Sequence, residues 1–177
     1  MADRYFSSVG LLMHPDGANN GSVFTEKKGK TVWRSGFVVT STAQVRFGTA
    51  SFLFATSSDR LYTYDRLTDF AFGTGDFTLE FSLKTGTTSG MIYDMQGTNG
   101  WYLQITGSGS GQLMLASSTT GNIITSTTNV CDNTWRDIAF ERQGTTVRVY
   151  INGAVDATGT NSTSMAAPAS QLYVGNN

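Results

Sequence analysis

Cysteine is nearly absent: Cys131 stands alone in 177 residues, so no disulfide forms within the chain and nothing staples the fold. That usage suits assembly in a reducing cytoplasm. Histidine is as scarce, with His14 its one instance. The shortage rules out zinc sites built from Cys and His, and it leaves any serine nucleophile a single base to share. Charged residues make up only 14 % of the chain and the formal net charge is −1. Without clustered Lys and Arg there is no electrostatic footprint for nucleic acid. No apolar run approaches the ~20 residues that cross a bilayer, so no membrane partner is expected. The opening "MADRYFSSVGLLMHPDG" has neither the apolar stretch nor the small-residue cleavage site of a signal peptide. Synthesis in the cytoplasm without export is the expectation.

What is present points one way. Ser and Thr form roughly a quarter of the chain, aromatics 12 %, and there are 20 Gly but only two Pro. Thr and aromatic side chains fit a pleated surface, and Gly punctuates turns. Short alternating runs follow one another. Val9–Met13 reads as a first strand, followed by "FVVTST" (37–42) and "SFLFAT" (51–56). In "DFTLEFSLKT" (76–85), Phe77, Leu79, Phe81 and Leu83 share one face, with Thr78, Glu80, Ser82 and Lys84 on the other. "GMIYDMQ", "GWYLQIT", "GQLMLAS" and "NIITSTT" come next. Then "WRDIAFERQGTTVRVYINGAVDATG" (135–159) reads as two hairpins, the second turning at Asn152-Gly153, a type I′ signal. No helix and no fixed-period repeat stands out. One strand-plus-turn every 8–12 residues suits an antiparallel sandwich. The expected organisation is an N-terminal arm, residues 1–8, and one domain, residues 9–177.

Three blocks carry a family resemblance: "RFGTASFLFATSSDRLYTY", "FGTGDFTLEFSLKT" and "DNTWRDIAFERQGTTVRVYINGAVDATGT", with the terminal "LYVGNN" matching the strand that follows. Together they resemble the concanavalin A-like, laminin G-like jelly-roll family, in the branch common among bacterial and phage surface proteins. The resemblance implies an all-β, antiparallel two-sheet jelly-roll sandwich. It departs from the family at Ser82, where many relatives carry Trp, and at the end. There the family closes with one more strand pairing with the N-terminal strand, whereas this sequence stops at Asn177. Either the sequence is shortened, or that sheet position is filled otherwise, a neighbouring subunit being one way, since an unpaired edge strand is an assembly liability.

Catalytic groups are not expected. The glycan-cleaving members of the wider superfamily use an "E-x-D-x-x-E" arrangement, absent here, to set two carboxylates about 5–5.5 Å apart. Asp76 and Glu80 are the nearest approach, and they read as a strand entrance and an exposed face. Cys131 and His14 form the one conceivable thiol–base pair, and no "G-x-S-x-G" elbow occurs. No cofactor is expected. Calcium is the one ion the resemblance admits, with oxygens on Asp59, Asp65, Asp94, Asp132 and Asn152 but no ligand motif among them. Asn161-Ser162-Thr163 reads as plain loop.

Sugar binding needs an aromatic platform beside amide and carboxylate groups, and Trp33, Trp101 and Tyr102 are the candidate glycan contacts. Trp135 is expected in the core, and Trp101 has the core as its competing reading. Arg4, Tyr5 and Phe6 on the arm resemble an interface anchor and are the candidate subunit contacts. "VGLLMHPDGANNGSVFTEKKG" is similar to the opening of many tailed-phage virion proteins of this family. The functional expectation is therefore a non-enzymatic structural virion protein of a tailed bacteriophage. It would decorate or cement the capsid or form part of the tail or fibre, through contacts with capsid or tail subunits and with copies of itself, trimers being the guess. The alternative is a lectin-like adhesion module that binds a cell-surface glycan or host receptor.

Overall fold

The alternating runs become strands because each offers an apolar edge every second residue, and two such sheets bury those edges against each other. The computed structural model describes residues 6–106, 109–167 and 171–176. After a short turn at Phe6–Ser8 come β1 (Trp33–Ser35), β2 (Val39–Ser41), β3 (Ser51–Leu53), β4 (Arg60–Thr63) and β5 (Phe77–Leu83). They are followed by β6 (Gly90–Met95), β7 (Trp101–Ile105), β8 (Leu113–Ser117) and β9 (Gly121–Thr125). Last are β10 (Arg136–Gln143), β11 (Thr146–Ile151), β12 (Ala154–Thr160) and β13 (Leu172–Asn176). A seven-stranded sheet, β1-β4-β13-β6-β7-β8-β9, faces a four-stranded sheet, β12-β11-β10-β5, and β2 with β3 forms a separate ribbon. The described pairings are antiparallel.

The core lies between the two large sheets. Met95, Trp101, Leu103, Leu113 and Leu115 come from one, and Phe77, Ile138, Phe140, Val147 and Val149 from the other. Fully burying one such side chain contributes about 1.5–3 kcal/mol, so this set fixes which face of every strand points inward.

The Phe77–Leu83 alternation holds, and the hairpin turn has φ of 52° at Asn152 and 80° at Gly153, the left-handed pair its residues allow. One expectation is corrected. Val9–Met13 is not a strand; Met13 makes only an isolated bridge to Glu26. The Glu26 carboxylate organises this segment by accepting the N–H groups of Leu12, Lys28 and Lys30, so side-chain bonds replace a ladder. The strand at "LYVGN" lies inside its sheet: β13 pairs with β4 on one side and β6 on the other. Its Gly175 has φ +67°, and a Cβ there would sit 2.4 Å from a Phe54 ring carbon, so Phe54 can close over the strand only because residue 175 is glycine.

Three buried or half-buried polar groups hold the periphery. Arg142, 1 % exposed, donates to the carbonyls of Gly73, Gly75 and Thr163 and lies 5.1 Å over the Phe77 ring. Asp156 is the extra residue of a bulge opposite Val149/Tyr150. Its carboxylate accepts from the Thr127 N–H and from the hydroxyls of Thr127 and Thr128, joining the edge strand of one sheet to the chain just after the edge strand of the other. Asp59, 2 % exposed, accepts the N–H groups of Phe37, Ala55 and Thr56 and the Thr56 hydroxyl, fastening the ribbon to β4.

Replacing Arg142 with Met leaves three carbonyls without their donor, and each orphaned buried group costs about 1–3 kcal/mol; a loss of about 2–5 kcal/mol in urea unfolding is expected. Acid stability follows from the carboxylates. Burial pushes Asp59 up, but its hydrogen bonds outweigh that and leave it below the ordinary value; the same balance lowers Asp156. A carboxylate lowered in the folded state contributes stability that is complete above its unfolded value near 3.9 and is lost as pH falls through the folded value. Stability is therefore expected to be flat above about pH 5 and to drop below about pH 4, and Asp59→Asn to make that drop shallower in acid titrations followed by circular dichroism.

Candidate functional site

Inward burial of one face dictates what the other face of the large sheet carries. On β4, Leu61 and Thr63 point into the protein, so Arg60 and Tyr62 point out. On β13 Leu172 is buried, so Tyr173 points out; on β7 Trp101 and Leu103 are buried, so Tyr102 points out. Register then aligns them. Trp33 pairs with Tyr62, Tyr62 with Tyr173, Tyr173 with Asp94, and Asp94 with Tyr102. Paired residues project to the same side of a sheet. The result is one row across five strands, Trp33-Tyr62-Tyr173-Asp94-Tyr102, spanning four strand spacings or roughly 19 Å.

Rings and polar groups converge at the β1 end of that row. Tyr62 meets Tyr64 edge-on at 5.4 Å and Tyr173 at 6.0 Å. The Arg60 guanidinium lies 4.9 Å from the Tyr173 ring centre. Ser35, Arg60, Tyr62, Tyr64, Gln171 and Tyr173 line an open depression of about 170 Å³. Tyr64 in this lining is 53 % exposed, as is Trp33, which pairs with Tyr62 from β1. Burial, with help from the neighbouring Tyr62 and Tyr173, raises the Tyr64 phenol, so its hydroxyl stays a donor at neutral pH. An apolar crevice on the other side of β4, lined by Leu11, Met13, Val32 and Leu61 among others, holds only about 10 Å³, room for no more than a water.

The sequence candidates fare differently. Trp33 and Tyr102 lie on the outward row. Trp101 does not: it is 1 % exposed and its indole N–H donates to the Phe70 carbonyl at 2.9 Å, so it belongs to the core and contacts no ligand. Trp135, expected in the core, is half-buried just before β10 and outside the core cluster. Arg4 and Tyr5 lie outside the described residues. Phe6 is held by its own chain, with the Lys28 ammonium 4.0 Å over the ring and donating to the Phe6 carbonyl. Tyr62, Tyr64, Tyr173, Arg60, Ser35 and Gln171 were not singled out in the sequence; the alternation Arg60-x-Tyr62-x-Tyr64 was the available signal.

Several other titratable groups are held by the surrounding chain. Asp76 accepts the Gly144 N–H at 2.7 Å, and Glu80 stands exposed on the outside of the small sheet. The Cys131 thiol donates to the Thr87 carbonyl at 3.0 Å, and burial and Asp132 raise it, which suppresses the reactive thiolate. His14 is exposed on the N-terminal segment. Asp132 is held at about 2 by the Thr134 hydroxyl and Arg136. Asp65 accepts the Thr31 N–H, Asp94 the Gln96 N–H, and Asn152 the Asp137 N–H. Among the described residues no group of three or more His, Cys, Asp or Glu gathers as metal ligands. Asn161 accepts the Thr163 N–H, closing its loop.

Comparison with known proteins agrees with this architecture. No curated protein matches the sequence significantly. Among solved structures, the binding domain of Paraclostridial mosquitocidal protein 1 superposes with a TM-score of 0.61 at 13 % identity, over 87 % of this chain and 45 % of that one. Domain 4 of AbnA, an extracellular arabinanase of Geobacillus stearothermophilus solved with arabinotriose, gives 0.61 at 17 % identity, over 86 % of this chain and 77 % of that one. The chain thus spans about half the length of the mosquitocidal structure, and at these identities the likeness is one of fold. A laminin G family model, described as the concanavalin A-like lectin/glucanases superfamily, matches residues 57–177. That is well over half of the sequence, and the chain belongs to this superfamily.

Proposed function

We propose that the chain is a non-catalytic carbohydrate-binding module whose ligand lies on the aromatic face of the seven-stranded sheet. The observation that carries the reading is the row Trp33-Tyr62-Tyr173 beside Tyr64, Arg60, Ser35 and Gln171 around an open depression. Ring faces suit the apolar faces of sugars, and the surrounding hydroxyl, amide and guanidinium groups suit their oxygens. Membership of a superfamily described by its lectins and glucanases supports the reading, as does an arabinanase domain of the same fold captured with arabinotriose. Among the described residues no carboxylate lines the depression, so the arrangement supports binding without an acid–nucleophile pair.

A second reading, a structural subunit of a tailed-phage virion, is favoured by one observation. The ribbon pairs Val39 with Leu53, and on its outward side Phe37 is 76 % and Leu53 45 % exposed. Large apolar side chains left together in water mark contact surfaces. A formal charge of −1 sets up little repulsion between copies, so a second copy of this chain is the occupant this reading assigns.

The two are tested separately. On a glycan array and in calorimetry, Trp33→Ala and Tyr62→Ala are each expected to weaken the best ligand by about tenfold, roughly 1.4 kcal/mol per ring; unaltered binding by both variants sinks the first reading. In light scattering at high protein concentration the chain is expected to exceed monomer mass, and Phe37→Ser with Leu53→Ser to return it to monomer. A wild-type chain that stays monomeric removes the second.

A further inference from the structure

The outward row of the seven-stranded sheet extends well beyond the depression at its β1 end. From Trp33 it runs through Tyr62, Tyr173 and Asp94 to Tyr102, roughly 19 Å over four strand spacings. Its ring surface ends there, because the residue paired with Tyr102 on β8 is Ala116. Along any one strand the ring surface is short. Tyr62 has the Tyr64 ring on one side and Arg60 on the other, and the next outward residue after Tyr102 on β7 is Gln104. The long axis of the aromatic surface therefore lies across the strands.

Resting on the carbohydrate-binding reading, we infer that the ligand is an internal stretch of a neutral, linear polysaccharide laid across the five strands from Trp33 to Tyr102, with Asp94 accepting its hydroxyls. The span exceeds a single sugar ring several-fold, so a short saccharide covers only part of the row and forgoes the remaining rings. The depression is open, which lets a chain run on past the units that lie over it, whereas selection of a chain end needs a closing wall. The acceptor is placed between rings. Asp94 stands between Tyr173 and Tyr102 with one oxygen on the Gln96 N–H at 3.0 Å. Its other oxygen takes no hydrogen bond among the described residues, and an ionised carboxylate only accepts. Sugar hydroxyls supply the donors, while the rings on either side present apolar faces with hydroxyl tips. The same carboxylate sits in the middle of the path, where its charge opposes a chain that carries an acid on every unit.

The full chain is titrated by calorimetry with linear arabinan, xylan and a mixed-linkage glucan, and with polygalacturonate as the charged comparison. The disaccharide and hexasaccharide of the best neutral polymer follow. That polymer is expected to bind at least about tenfold tighter than polygalacturonate, and the hexasaccharide at least about tenfold tighter than the disaccharide. Tyr102→Ala, at the far end of the row, is expected to cut the hexasaccharide's advantage to less than about threefold. Asp94→Asn, which keeps an acceptor and drops the charge, is expected to narrow the discrimination against polygalacturonate. Circular dichroism confirms the fold of both variants. A disaccharide that binds as tightly as the hexasaccharide, or an advantage that Tyr102→Ala leaves intact, overturns the extended path and leaves the carbohydrate reading standing. Polygalacturonate binding as tightly as the neutral polymers overturns the neutral preference in the same way. Binding to none of the four polymers overturns the inference and the carbohydrate reading together.

Discussion

The outward row of rings depends on a constraint imposed from the opposite side of the sheet. A strand sends alternate side chains to opposite faces, so a slip of one residue exchanges the two faces completely. Leu61, Leu172, Met95 and Trp101 are buried on four of the five strands that build the row, and each contributes about 1.5–3 kcal/mol when removed from water. Moving any one strand by a residue would expose its anchor and drive Tyr62, Tyr173, Asp94 or Tyr102 inward. The core thereby sets the positions of groups that never touch it. The face is held by packing rather than by loops, which is what a binding surface with a fixed spacing between rings requires.

The low charge and the abundance of Ser and Thr have a common structural meaning. Thr56 serves Asp59, Thr134 serves Asp132, Thr127 and Thr128 serve Asp156, and Ser82 serves Asp137. Hydroxyl donors bond these carboxylates in turns and at sheet edges, alone at Asp59 and Asp156 and beside an arginine at Asp132 and Asp137. The Ser82 case accounts for a residue that departs from the family pattern. Its hydroxyl, with the bidentate Arg46 guanidinium, secures Asp137 and pins the loop before β3 to the small sheet. Each of these carboxylates is thereby tied to the chain around it.

Local signals were legible where partners are close in sequence. The period-two run of β5 and the β10–β11–β12 hairpins, with Asn152-Gly153 in its left-handed turn, needed only neighbouring residues. The site was not legible because its central strand arrives late. β13 inserts between β4 and β6, so Tyr173 meets Tyr62 only through a pairing across more than a hundred residues, and nothing local in "LYVGN" announces it. Val9–Met13 misled because its apolar residues serve as packing under β4 and as a bridge to Glu26 rather than as a ladder. The tryptophans divided, because ring size says nothing of direction. Trp101 follows the inward phase of β7, Trp33 the outward phase of β1, and Trp135 falls before β10 begins.

The ribbon and the aromatic face are physically separable, and that bears on how the two proposed activities relate. Leu53 and Phe54 are adjacent, and side chains alternate across a strand. Phe54 closes onto Gly175 of β13 while Leu53 stands out in solvent on the other side. Copies that join through the Phe37–Leu53 surface would leave Tyr173 and its neighbours uncovered. An open depression buries little of a ligand, so a single site is expected to bind weakly, with much of the gain lost to ordering the saccharide. Several copies in one assembly would raise the local concentration of sites along a repeating polymer and multiply the apparent affinity without a new contact. On the two proposed readings, assembly and saccharide binding would reinforce each other: the apolar ribbon would supply valency, and a row of rings fixed by the core would supply recognition.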